Sequence, residues 1–228
     1  MWCNRIKGTY QRDEKPLAAR RVAQEMACQR LSSLRLINPT VHLEESHTTF
    51  LNEFQERSER VHPGIATKPH DHFSDFVDML RAASMGEGTP SDQVASSTYW
   101  LVDSNDEIVA ISNLRHELND FLLAYGGHIG YGVRPSARRR GYATEILRQT
   151  LLKAKARGIT RVRITCAKKN LASAKTILRS AGDVDDEAFS QITTRSSVDT
   201  GLSFNGMSDP IQSSGIIGRG FAIQSEVR

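Results

Sequence analysis

The stretch from Gly126 to Gly158, GGHIGYGVRPSARRRGYATEILRQTLLKAKARG, constrains the fold more than any other part of the chain. His128 to Val133 reads as a short strand, and Arg134 to Ala143 as a polar, arginine-rich turn. After the turn, Ala143, Ile146, Leu147, Leu151 and Ala154 recur at three and four residues, so they share one face of a helix. Gly158 is a natural stop, and Lys153, Lys155 and Arg157 sit in the last turns, where cations suit the helix dipole. A strand, a glycine-containing turn and a helix can hold a phosphate, because the first N–H groups of a helix have no intrahelical partner. Gly141 lets an anion approach the backbone, and Arg138, Arg139 and Arg140 add fork-like cationic donors. On spacing alone, a solvated basic loop fits equally well.

The pattern Arg138-x-x-Gly141-x-Ala143 follows a strand ending in Val-x-Pro and precedes an amphipathic helix. It resembles motif A of the GNAT superfamily of acyl-CoA N-acyltransferases. Arg161 to Cys166 is similar to the next strand of that fold, and Asn170-Leu-Ala-Ser173 to its motif B. Tyr99 to Val102, Asn113 to His116 and Gly126 to Tyr131 resemble segments of a bacterial subgroup of predicted acetyltransferases. The likeness runs from Leu36 to Gly182.

The resemblance implies an α/β fold, with a mixed central sheet flanked by helices and a splay between the strand before motif A and the next one. The implied reaction moves an acetyl group from acetyl-CoA to a primary amine on a small molecule or peptide. By the same resemblance, the Val133 backbone meets the pantetheine and thioester at the splay. Arg138, Arg139, Arg140, Gly141, Tyr142 and Ala143 surround the pyrophosphate, and the Thr144 hydroxyl adds a contact. Asn170 matches the position that touches the pantetheine arm, and its residue type fits a helix N-cap as well. Many members carry a tyrosine seven residues after that Asn as general acid, whereas this chain has Ile177. Ile177 instead continues an apolar face with Leu171, Ala174, Leu178 and Ala181. Tyr131 or a water is then the candidate acid. His128 is the candidate base, an imidazole with an ordinary pKa of about 6.5, with His116 and Glu117 as rivals.

Composition narrows the partners. The chain has 228 residues, 39% of them apolar, and a net charge of +4, which suits one domain with appendages and only a mild preference for anions. A nucleic-acid role through Arg134 to Arg140 is disfavoured, because aromatic residues do not interleave with the arginines as a stacking groove requires. Cys3, Cys28 and Cys166 show neither metal nor disulfide spacing, which points to a reducing cytoplasm. No apolar run is long enough to span a membrane. Of His62, His70 and His72, two flank a proline-containing loop and no Cys accompanies them, so they read as surface histidines rather than metal ligands. Self-association as a homodimer is left open. The rival function is a CoA-binding protein that no longer catalyses.

Along the chain, residues 1–34 read as a poorly ordered basic extension, with a helical turn or two at Ala18 to Ala27. Residues 35–189 read as the acetyltransferase-like domain. It opens with a strand at Leu34 to Pro39. Helices follow over Glu44 to Arg60, carried by Phe50, Leu51 and Phe54, and from Phe73 to about Gly86. A hairpin pairs Thr98 to Val102 with Ile108 to Leu114. The strand, helix, strand, helix order from His128 to Ala181 implies a crossover with parallel pairing. Residues 190–228 form a Ser/Gly-rich, patternless tail. With permitted synonymous codons, a shifted frame through Ser197 to Asn205 spells Arg-Arg-Tyr-Trp-Ile-Val-Ile and a stop, close to the usual family ending. The tail is therefore expected to be an out-of-frame reading, with the final strands missing or altered and an exposed edge beside Arg161 to Cys166.

Overall fold

A computed structural model describes residues 17–167, 169–182 and 191–195. Helix α1 (Leu17–Ser32) leads into strand β1 (Arg35–Ile37). Helices α2 (Glu44–Glu56) and α3 (Phe73–Met85) follow, then the hairpin β2 (Ser96–Val102) and β3 (Ile108–Arg115). Strand β4 (Ile129–Val133), helix α4 (Tyr142–Ala156), strand β5 (Arg163–Ala167), helix α5 (Leu171–Gly182) and strand β6 (Gln191–Arg195) complete the order.

Strands β1 to β4 form one antiparallel sheet in sequence order. The hairpin expected at Asp103 to Asp106 is present. The Asp103 carboxylate accepts the N–H groups of Asn105 and Glu107 at 2.9 and 3.1 Å and closes the turn. Alternate strand residues serve opposite layers. Trp100 and Val102 pack with Phe50, Phe54, Phe76 and Leu80 under α2 and α3. Tyr99, Leu101, Leu114 and Ile129 pack towards α4 and α5. Both faces are covered, which is why Tyr-Trp-Leu-Val reads as a continuous apolar run.

Helix α4 buries Ile146, Leu147, Leu151 and Ala154, as its spacing implies, together with Tyr142 and Thr150. Helix α3 ends where expected: Gly86 is left-handed at φ +81° and its N–H bonds the carbonyls of Ala82 and Ala83. Helix α2 stops at Glu56, short of Arg60, because the chain turns left-handed at Ser58 (φ +52°).

Four expectations need correction. Helix α1 runs through 16 residues rather than a turn or two. Val22 and Met26 on it are exposed, and its end docks through Leu31 and Leu34 onto the cluster under α4. On α5 the inward stripe is Ile177 and Ser180, while Leu171 and Leu178 are exposed, since Ser180 rather than Leu178 lies three residues beyond Ile177 on the same face. The crossover brings β5 beside β4, but the two strands do not ladder; parallel pairing occurs between β5 and β6 instead. The edge of β5 is therefore covered by Gln191–Arg195, from within the stretch that reads as patternless. Residues 1–16 and 196–228, with the rest of the out-of-frame reading, lie outside the described residues.

Candidate active site

The site grows from the place where β4 and β5 part. They touch at one end only. Gly127 forms an isolated bridge with Ile164, the His128 N–H donates to the Arg163 carbonyl at 2.6 Å, and the Arg163 N–H donates to His128 Nδ1 at 2.9 Å. Gly127 is required there: its φ is +65°, and a Cβ would lie 2.6 Å from the Arg163 carbonyl oxygen. Beyond this point the strands diverge into two sheets.

The divergence leaves donors without partners. Across β3 and β4 the Arg115 N–H reaches the His128 carbonyl and the Arg134 N–H reaches the Val109 carbonyl. An antiparallel ladder alternates, so the His128 carbonyl, the groups of Gly130 and Gly132 and the Arg134 N–H face β3. Those of Ile129, Tyr131 and Val133 face the split. A few residues on, the N–H groups of residues 139–144 make no hydrogen bond to the described residues, and only the Glu145 N–H reaches back to Gly141. Arg139 (φ +62°) and Gly141 (φ +89°) are both left-handed, which turns this run of donors around a concave bend at the start of α4. Such a run suits an anion with several oxygens.

Side chains sort the arginines. Arg134 is held by Glu53 at 2.5 Å and Glu107 at 2.6 Å, and the Ser136 N–H and hydroxyl each donate to Glu53 at 2.8 Å, which ties the turn to α2. Burial alone would raise the Glu53 carboxyl; the Ser136 and Arg134 donors outweigh it and hold the pKa below the usual range. Arg138 pairs in two bonds with Glu59 at 3.0 and 2.5 Å, and lies 5.4 Å above the Phe54 ring. Arg139 and Arg140 are exposed and have no ion-pair partner among the described residues. Tyr142 is buried in the core, so its backbone alone faces the bend. Ala143 and Thr144 are half-buried in the first turn of α4.

On the far side, Asn170 caps α5, its side-chain oxygen accepting the Ser173 N–H at 3.0 Å. Tyr131 reaches across the split to Ser173, hydroxyl to hydroxyl at 2.9 Å. Burial raises the Tyr131 phenol above its ordinary value, despite hydrogen bonds with Ser173 and Thr176. Ile177 is 1% exposed and packs in the core below. Cys166, expected to be a buried small hydrophobe, is half-buried beside that cluster, and burial raises its thiol.

His128 is half-buried, and burial together with Arg115 and Arg163 lowers its pKa. Since Nδ1 accepts the Arg163 N–H, the neutral ring carries its proton on Nε2. His116 is engaged through both nitrogens, with Ser97 at 2.9 Å and Arg157 at 3.0 Å. Glu117 is exposed.

The sequence reading missed two residues. Arg115 donates to the Gly127 carbonyl at 3.0 Å and braces the turn into β4. His62 lies on the face of β4 under α2 and α3, its carbonyl and ring filling the places of side chains at Gly132 and Gly130. Two glycines alternating in one strand signal such a close approach. The loop histidines are thus not alike, and His70 differs again, stacking on Phe76 at 4.9 Å.

The split strands, the run of free donors and the capped helix beyond them define an acyltransferase framework of the GNAT kind. The model of the acetyltransferase (GNAT) domain matches residues 34–182, and the chain belongs to that family. Searches of curated proteins and of solved structures each gave no match. Among the described residues no group of three or more His, Cys, Asp or Glu could hold a metal, and no helix is long and apolar enough to cross a membrane.

Proposed function

We propose that this acetyltransferase takes its acetyl group from acetyl-CoA and delivers it to a primary amine, on a small molecule or a peptide. The observation that carries the reading is the unbroken run of unpartnered N–H groups over residues 139–144, beside the free edge of β4. Those six donors and the exposed Arg139 and Arg140 match the oxygens of a diphosphate. Gly141 and Ala143 are small enough to let them approach the main chain, and Thr144 places a hydroxyl in the first turn of α4. The Arg138 side chain serves from behind, fixing the turn on Glu59. The free N–H of Val133 suits the amide-rich arm of the coenzyme, while its carbonyl accepts Arg138 Nε at 3.3 Å, and Asn170 closes the opposite side. Acetyl-CoA, when bound, supplies an activated acyl carbon and a thiolate leaving group, so no side chain has to act as nucleophile.

Two proton transfers remain. Tyr131 is assigned as donor to the leaving sulfur, because its phenol stays protonated at neutral pH and stands between β4 and α5. His128 is read as the clasp of the split rather than as the base, since its Nδ1 lone pair is occupied. The wide spacing and odd number of Cys3, Cys28 and Cys166 support a reducing, cytoplasmic setting.

The test is thiol release from acetyl-CoA, followed with a thiol reagent in the presence of butylamine, spermidine and a short peptide with a free N-terminus. Release that depends on one of these amines, with the N-acetyl product seen by mass spectrometry, supports the reading. Tight acetyl-CoA binding without any release would favour a CoA-binding protein that does not catalyse, a role consistent with Ile177 at the position of the family's tyrosine.

A further inference from the structure

We infer that His62 is the group that takes the proton from the acceptor ammonium, standing on the α2/α3 face of β4 beside the free edge that holds the acyl group. The inference rests on the acetyltransferase reading above and adds a residue to it.

The geometry is specific. The His62 carbonyl oxygen occupies the space of a side chain at Gly132, and Nε2 lies 2.8 Å from where a Cβ at Gly130 would be. Pro63, buried behind it, is 3.4 Å from the same position, so the His62–Pro63 step is pressed on the strand rather than hanging in solvent. A strand in a sheet occupies about 5 Å, so a side chain on the face of β4 stands within reach of an atom held along its edge.

Among the histidines near the split, His62 is the one still able to accept a proton. His128 receives the Arg163 N–H on Nδ1, and His116 is fixed between Ser97 and Arg157. Neither ring nitrogen of His62 has a hydrogen-bond partner among the described residues. As a residue His62 is exposed, which leaves a path for proton release. Its ring packs on β4 through Nε2 and Cε1, at 2.8 and 3.5 Å from a Cβ position at Gly130. That crowding, then Arg115 on β3 and Arg60 on its own loop, lowers its pKa, so the imidazole is neutral at pH 7.

The step balances without a further reagent. His62 takes one proton from the ammonium and returns it to solvent. The freed nitrogen lone pair forms the C–N bond, and the C–S electron pair leaves on sulfur. The second nitrogen proton ends on sulfur as the CoA thiol, and Tyr131 provides the relay.

The experiment compares wild type with His62→Ala and His62→Gln across pH, using butylamine, spermidine and the peptide as acceptors. At pH 7 each variant should lose about 100-fold in kcat, with acetyl-CoA affinity by calorimetry unchanged. The gap should close as pH approaches the pKa of the amine, where free base is abundant. Wild type should lose activity on acidification through a pKa below about 6.5, and the variants should lack that limb. Independently, ring 15N NMR of the coenzyme-free protein, with His62→Gln for assignment, should show His62 neutral at pH 7. Variants as active as wild type, a loss equal at every pH, or a His62 protonated at pH 7 would each overturn the inference and leave the acetyltransferase reading standing. Failure of wild type to bind acetyl-CoA, or to acetylate any of the three amines, would overturn both.

Discussion

The phenol of Tyr131 on β4 and the hydroxyl of Ser173 on α5 lie 2.9 Å apart, a bridge across strands that have otherwise separated. Tyr131→Phe removes the bridge and the assigned proton donor while keeping the ring that packs beside Ile129 and Cys166. We expect acetyl-CoA affinity within a few-fold of wild type and turnover lowered about 100-fold, measured by single-turnover thiol release. A Tyr131→Phe enzyme with undiminished turnover would remove the phenol from the chemistry.

Glu53 ties the turn between β4 and α4 to α2 by receiving Arg134, the Ser136 N–H and the Ser136 hydroxyl. Its carboxyl is held below the usual range, so this contribution is complete above the unfolded pKa and is lost as pH falls through the lower folded value. Glu53→Gln should cost about 1.5–3 kcal/mol, the range for a hydrogen bond to a charged group. Urea unfolding at pH 7 checks the figure, and the difference from wild type should shrink in acid.

His47 sits among Phe73, Phe76 and Trp100 and is 1% exposed. Burial, and then His70, push its pKa down to about 4. The unfolded chain binds this proton near pH 6.5 and the folded chain does not, so stability present above pH 6.5 is lost progressively down to about pH 4. The loss is on the order of 3 kcal/mol, from ~1.4 kcal/mol per pH unit. His47→Leu should flatten thermal stability across that window. An unchanged acid limb would place the effect elsewhere.

Much of this was legible from residue order because the signals are local. The apolar spacing of α4, the turn residues Asp103 to Asp106 and the Arg138-x-x-Gly141-x-Ala143 pattern each fix a local conformation, and each matches its element. What escaped depends on pieces distant in sequence. Nothing near His62 indicates that it packs on β4; the clue lies in Gly130 and Gly132. The partner of the Arg138 guanidinium, Glu59, lies far from it in sequence. The Arg163 N–H that His128 Nδ1 accepts is brought in by the crossover, and nothing beside His128 announces it. The length of α1 was hidden because its described upper face, with Val22 and Met26 exposed, carries no apolar stripe to read.

The proposed activity requires the bend at residues 139–144 to hold the diphosphate of acetyl-CoA. Calorimetric titration of wild type and Gly141→Asp with acetyl-CoA tests this most directly. Aspartate tolerates a left-handed backbone better than most residues, and a Cβ at Gly141 meets Leu31 at 3.5 Å, an ordinary contact, so the variant should fold. It should lose at least about 100-fold in affinity, ~2.7 kcal/mol, because the substitution brings a negative charge to the run of donors proposed to hold the diphosphate. A folded Gly141→Asp protein that binds acetyl-CoA as tightly as wild type would contradict the account.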